Sequence, residues 1–136
     1  MTFNTMHLSV SINCSADEAY QFVSNPRNLP AWASGLAGGI EQIDGKWVAE
    51  SPMGRVTITF APENSFGVLD HEVATESGER FANPMRVIPN DDGCELIFTL
   101  FRRTAMNDAE FSEDARTITK DLHKLRHLLE RQAPAS

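Results

Sequence analysis

The chain offers few residues that could do chemistry, and His71 is the first of them. It stands in Leu69-Asp70-His71-Glu72-Val73, where alternation turns Leu69, His71 and Val73 to one side of a strand, so the imidazole points inward among apolar neighbours. An imidazole so placed can exchange a hydrogen bond with a ligand carbonyl or hydroxyl, or act as a general base near neutral pH. It can equally be a core histidine satisfied by backbone, a carboxylate or water. Gln42 is the other inward polar residue, able to orient a ligand or to bond the chain itself. Trp32 and Trp47 are rigid apolar surfaces that suit stacking on a planar molecule or plain core packing. Phe60, Met85, Phe98 and Leu100 share that ambiguity, the Met being adaptable enough for an irregular apolar ligand.

Other combinations lead to less. His123 and His127 are four apart on a helix, a spacing that can hold one metal ion, but they lie off the apolar seam and no HExxH accompanies them. No metal site is expected. His7 is alone on a polar strand face. Asp91-Asp92-Gly93 reads as a turn rather than half a calcium loop. Cys14 and Cys94 form no CxxC pair and are expected to be reduced packing thiols. There is no GxSxG for a nucleophilic serine and no GxGxxG after a strand, so no cofactor is expected. Arg102 and Arg103 leave the last strand near the start of a helix. They can meet a ligand carboxylate there, or balance the acidic first turns at Asp108, Glu110, Glu113 and Asp114.

The elements that must position these residues are readable. Met6, Leu8, Val10 and Ile12 alternate in an opening strand. Ser15-Ala16-Asp17-Glu18 is a capping box for a short helix burying Ala19, Phe22 and Val23, and Asn28–Ala33 reads as a second with Pro30 in its first turn. Ser34–Gly39 is an exit loop. Asp44-Gly45 is a hairpin turn pairing Ile43 with Lys46, and the turn at Ser51–Gly54 pairs Glu50 with Arg55. Both hairpins place Ile40, Gln42, Trp47, Ala49, Val56, Ile58 and Phe60 on one face. Strands are expected over Phe66–Thr75, Phe81–Ile88 and Cys94–Arg103, with Met85 and Val87 on the face of Leu96, Phe98 and Leu100. Arg86 then points out, toward Asp70 or Glu72. Asn107, with Glu110 at the box position, caps a last helix over residues 108–131. Its apolar positions Phe111, Ala115, Ile118, Leu122, Leu125 and Leu129 recur at steps of three and four. It is about 36 Å long at ~1.5 Å per residue, and the tail 132–136 is expected to fray.

Composition excludes further classes. The 136 residues suit one domain over 1–136, and the net charge of −7, with 19 acids against 12 bases and no basic stripe, speaks against nucleic acid. No apolar run reaches the ~20 residues of a membrane span. No signal peptide is visible at the start, so a cytoplasmic location is expected. A homodimer is compatible with the sequence, although nothing in it encodes one.

The order of strand, two short helices, antiparallel meander and long terminal helix resembles the START/Bet v 1-like superfamily, often labelled SRPBCC or polyketide cyclase/dehydrase-like. The pieces that match are Ser15-Ala16-Asp17-Glu18-Ala19-Tyr20-Gln21-Phe22, then Asn25-Pro26 with Leu29-Pro30-Ala31-Trp32, then the meander and helix 108–131. The segments around Leu69–Glu72 and Pro84–Val87 resemble an uncharacterised bacterial branch. The resemblance implies an α+β helix-grip fold, a curved antiparallel sheet wrapped around the terminal helix with a cavity between them. It implies a small apolar or aromatic ligand, lipid- or polyketide-like, lined by Trp32, Gln42, Trp47, Phe60, His71, Met85, Phe98, Arg102 and Leu122. The alternatives are a cyclase or dehydratase in which His71 moves a proton while Gln42 or Arg102 steadies an oxyanion, and a co-chaperone-like protein-binding module.

Overall fold

Alternation and turn chemistry dictate most of the architecture found in a computed structural model that describes residues 1–36 and 38–132. The opening strand β1 (Thr5–Ile12) is followed by α1 (Ala16–Val23), a 3-10 turn at Pro26–Asn28 and α2 (Leu29–Trp32). The strands β2 (Ile40–Ile43), β3 (Lys46–Ser51), β4 (Gly54–Phe60), β5 (His71–Thr75), β6 (Arg80–Asn83), β7 (Met85–Asn90) and β8 (Gly93–Phe101) come next. The chain then runs into α3 (Asp108–Gln132). Ser15 caps α1, its hydroxyl accepting the Glu18 N–H at 3.1 Å. At α3 the box closes both ways: Asn107 Oδ1 accepts the Glu110 N–H at 2.8 Å and Glu110 Oε1 accepts the Asn107 N–H at 3.0 Å. Ser34–Leu36, expected as plain loop, makes a 3-10 turn. The expectation for the tail after Gln132 lies outside the described residues.

Two hairpins have the expected register. Asp44 and Gly45 take φ of 51° and 80°, the positive values a two-residue hairpin turn demands, and Gln42 pairs with Trp47, Ile43 with Lys46 and Glu50 with Arg55. Beyond β4 the meander departs from the expected plan. The strand expected from Phe66 begins only at His71, because Asn64 organises the preceding chain into a loop. Its Oδ1 accepts the N–H groups of Phe66 and Val68, and its Nδ2 donates to the carbonyls of Pro62 and Val68. Gly67 passes so close to β7 that a Cβ would lie 2.2 Å from the Val87 carbonyl oxygen, at a φ of +73°.

The strand expected over Phe81–Ile88 is broken at Pro84, which has no N–H for a ladder. Residues before it pair with β5 and residues after it pair with β8. The antiparallel strands therefore form two sheets, ordered β1-β8-β7 and β2-β3-β4-β5-β6, and the chain changes sheet at the proline. Asp70 stitches that crossing: Oδ1 accepts the Met85 N–H at 2.8 Å, and both its oxygens take the Arg86 guanidinium, at 3.0 and 2.9 Å. Of the two expected partners for Arg86 it is thus Asp70 that serves, while Glu72 pairs with Arg80 at 2.9 Å.

α3 packs against β1, β8, α1 and α2. Leu122, Leu125 and Leu129 are buried with Val10, Ile12 and Leu96, whereas Phe111 and Ile118 toward its start are only half-buried. No helix among the described residues is long and apolar enough to cross a membrane.

Candidate functional site

Strand pairing sets the floor of the site. Across the five-stranded sheet, Trp47, Ile58, Val73 and Phe81 lie in one row, and Phe60, His71 and Asn83 lie in the next. Ile58 is buried, but Trp47, Phe60, His71, Val73, Phe81 and Asn83 are half-buried. The strands that run closest to α3 along their backbones are β1 and β8 of the other sheet.

His71 is held from three directions. Its ring stacks on Phe60 with centroids 4.9 Å apart and planes inclined 30°, and it meets the edge of Phe98 at 6.2 Å and 63°. Its Nδ1 lies 3.1 Å from the Leu69 carbonyl oxygen. A carbonyl only accepts, so Nδ1 carries the proton. Burial pushes the imidazole pKa below its usual value, against the opposing effects of the Leu69 carbonyl and the Asp70 charge. The ring is therefore neutral at pH 7, with its Nε2 lone pair free of any hydrogen bond among the described residues.

The expected site residues divide. Phe60, His71 and Phe98 come together, and Met85 adjoins them as the strand partner of Phe98. Leu122 is buried in the core seam of α3. Trp47 lies on the inner face, with the Arg27 guanidinium 5.0 Å from its ring centroid. Trp32 is 4% exposed, and its indole N–H has no hydrogen-bond partner among the described residues. Gln42 requires correction as an inward residue: it has the right side but is exposed, because β2 is an edge strand projecting past the core. Arg102 takes the second of its two expected roles, balancing the acidic start of α3: its guanidinium donates to the Met106 carbonyl at 3.0 Å and pairs with Asp108.

Arg103 likewise turns to α3. Its guanidinium lies 4.4 Å from the Phe81 ring centroid and pairs with Asp114 of α3 at 3.4 Å, bridging helix and sheet. Asn83 and Asp121 are further polar candidates beyond those expected. Alternation back from Met85 places Asn83 inward, and Asp121 sits three residues after Ile118 and four before Leu125. Burial raises the Asp121 pKa although Ser34 donates its N–H and hydroxyl to the carboxylate.

An open depression of about 350 Å³ crosses the same three strands. Thr59, Ala61, Asp70, Glu72, Ala82 and Pro84, which alternate away from His71, line it together with Phe60, His71 and Asn83.

No family model matches the chain, and no curated protein matches it. Solved structures do. The aromatase/cyclase Zhui from Streptomyces sp. R1128 superposes with a TM-score of 0.74 at 13% identity, covering 98% of this chain and 97% of that one. Ara h 8.0201 gives 0.69 at 11%, with 95% and 99% covered. A conserved protein from Geobacillus kaustophilus gives 0.73 at 15%, with 94% and 96% covered. The chain thus has the START/Bet v 1-like helix-grip fold that its element order resembles.

Proposed function

We propose that this protein binds a small apolar or aromatic molecule between the inner face of the five-stranded sheet and the first half of α3. The observation that carries this reading is a gradient of burial. Leu122, Leu125 and Leu129 of α3 are buried to 3% exposure or less, while the large side chains Phe111 and Ile118 earlier in the seam, on either side of buried Ala115, and Phe60, Val73 and Phe81 of the sheet are only partly buried. Apolar side chains that pack on the core yet stay partly exposed along one concave face are what a ligand site supplies. The fold shared with Zhui and Ara h 8.0201 is compatible with it.

Naphthalene titrated against Trp fluorescence tests the reading, with Val73→Trp as the blocking variant. An unfilled space accepts the larger side chain: Val73→Trp keeps its stability and loses naphthalene binding. If the protein's own side chains fill that space, wild type binds nothing and the substitution costs about 1–3 kcal/mol from overpacking.

A catalytic reading has one observation in its favour. A neutral imidazole is in the state a general base needs, as an aromatase/cyclase-type proton abstraction would require. It predicts deuterium uptake from D2O at the acidic carbon of a bound β-diketone, abolished in His71→Asn.

A further inference from the structure

We propose that the molecule bound here carries a hydroxyl group, phenolic or enolic, whose proton is received by His71 Nε2. The inference rests on the binding reading above and adds the chemistry of recognition. His71 has a structural duty that occupies only half of its ring. Before β5 the pairing is reduced to a single bridge of Val68 with Arg86, and there the Nδ1–H satisfies the Leu69 carbonyl at 3.1 Å. An asparagine would meet that need, since its amide nitrogen occupies the place of Nδ1. The second nitrogen is unexplained by packing.

Nε2 is left as an acceptor by the assignment of the proton, and it belongs to a ring whose surroundings are otherwise aromatic. Phe60 stacks on one side and the Phe98 edge closes another. An apolar ligand lacking a donor would strip water from that lone pair and return nothing, whereas a hydroxyl replaces the lost hydrogen bond. The same aromatic surroundings favour a flat ring bearing that hydroxyl. Asn83, the strand partner of His71 on the same face, offers an amide to a second polar atom of the ligand.

Equilibrium dialysis of 2-naphthol and 2-methoxynaphthalene against wild type and His71→Asn tests the proposal. The variant keeps a donor for Leu69 and lacks the Nε2 acceptor. The expected result is a preference for the naphthol about tenfold larger in wild type than in the variant, equivalent to ~1.4 kcal/mol of coupling. Equal preferences in the two proteins overturn the hydroxyl inference while leaving the apolar site in place. Binding of neither compound to wild type overturns both. Independently of any variant, a long-range proton–nitrogen spectrum of wild type at pH 7.5 must show the Nδ1–H tautomer of His71. The opposite tautomer refutes the assignment of Nε2 as acceptor.

Discussion

Replacing Asp70 by alanine removes the carboxylate that joins the two sheets at Pro84, and its cost can be divided between two interactions. The Arg86 guanidinium is held in two hydrogen bonds, but the side chains are 51% and 36% exposed, so solvent screening limits the ion pair to about 0.5–1 kcal/mol. The Met85 N–H is different. Met85 is fully buried at 0% exposure and its N–H lies 2.8 Å from Asp70 Oδ1. Left unsatisfied, such a group costs about 1–3 kcal/mol. Asp70→Ala should therefore lose about 1.5–4 kcal/mol, and Arg86→Ala only about 0.5–1, because Asp70 then keeps its backbone partner. Urea unfolding at pH 7, followed by Trp fluorescence, gives both values.

The pH dependence supplies a second check. The Arg86 guanidinium holds the Asp70 carboxyl below its usual pKa, against the upward push of burial. The electrostatic contribution is then complete above the unfolded value of about 3.9 and fades as the pH falls through the folded value. The gap between wild type and Asp70→Ala should narrow toward pH 3. An Arg86→Ala variant as costly as Asp70→Ala, or a gap that does not change with pH, would refute the partition.

Further outcomes concern the core and the site. Leu125, with 0% exposure in the α3 seam, should cost about 2–5 kcal/mol on replacement by alanine, whereas half-buried Ile118 should cost about 1–2; urea midpoints that reverse this order would contradict the burial gradient. Burial pushes the Cys94 thiol up to about 12 and raises that of Cys14. A thiol-directed disulfide reagent at pH 8 should label both only as fast as the protein opens, and an immediate burst would show otherwise. Because His71 has a lowered pKa, wild type should lose stability as the pH falls through the unfolded value near 6.5 toward the folded one. His71→Asn lacks that loss, so its urea midpoint relative to wild type should rise between pH 7.5 and pH 5.5. A constant difference would mean that His71 is not buried neutral.

The hairpins were legible because their turns have a single chemical solution. Asp44-Gly45 admits only the positive-φ turn, and that turn fixes the partner of every residue from Ile40 to Ala49. The helix ends were legible for the same reason, through Ser15 and Asn107. Pro84 carried a signal of equal strength, a strand residue with no donor, yet alternation passes through it unchanged, since Asn83 and Met85 keep the side of their neighbours. Alternation reports the face and is silent about which sheet the face belongs to. Gln42 illustrates a related gap. Its side follows from register, while its exposure depends on how far an edge strand projects beyond the core, a tertiary property absent from the local pattern.

The candidate site arises where these two kinds of information meet. The break at Pro84 sends β6 to one sheet and β7 to the other, and it brings Phe98 of the second sheet beside Phe60 and His71 of the first. The loop before β5 leaves the Leu69 carbonyl outside the ladder, and a donor is needed there. Histidine meets that need with one nitrogen and necessarily brings a second to the inner face. A polar atom thus enters an apolar concavity as a consequence of how the strands change sheets. Wherever a ring supplies one hydrogen bond to the backbone and lies against partly exposed apolar surface, its other nitrogen is the natural point of selectivity. Here that nitrogen is an acceptor, and the ligand proposed for it is one that donates.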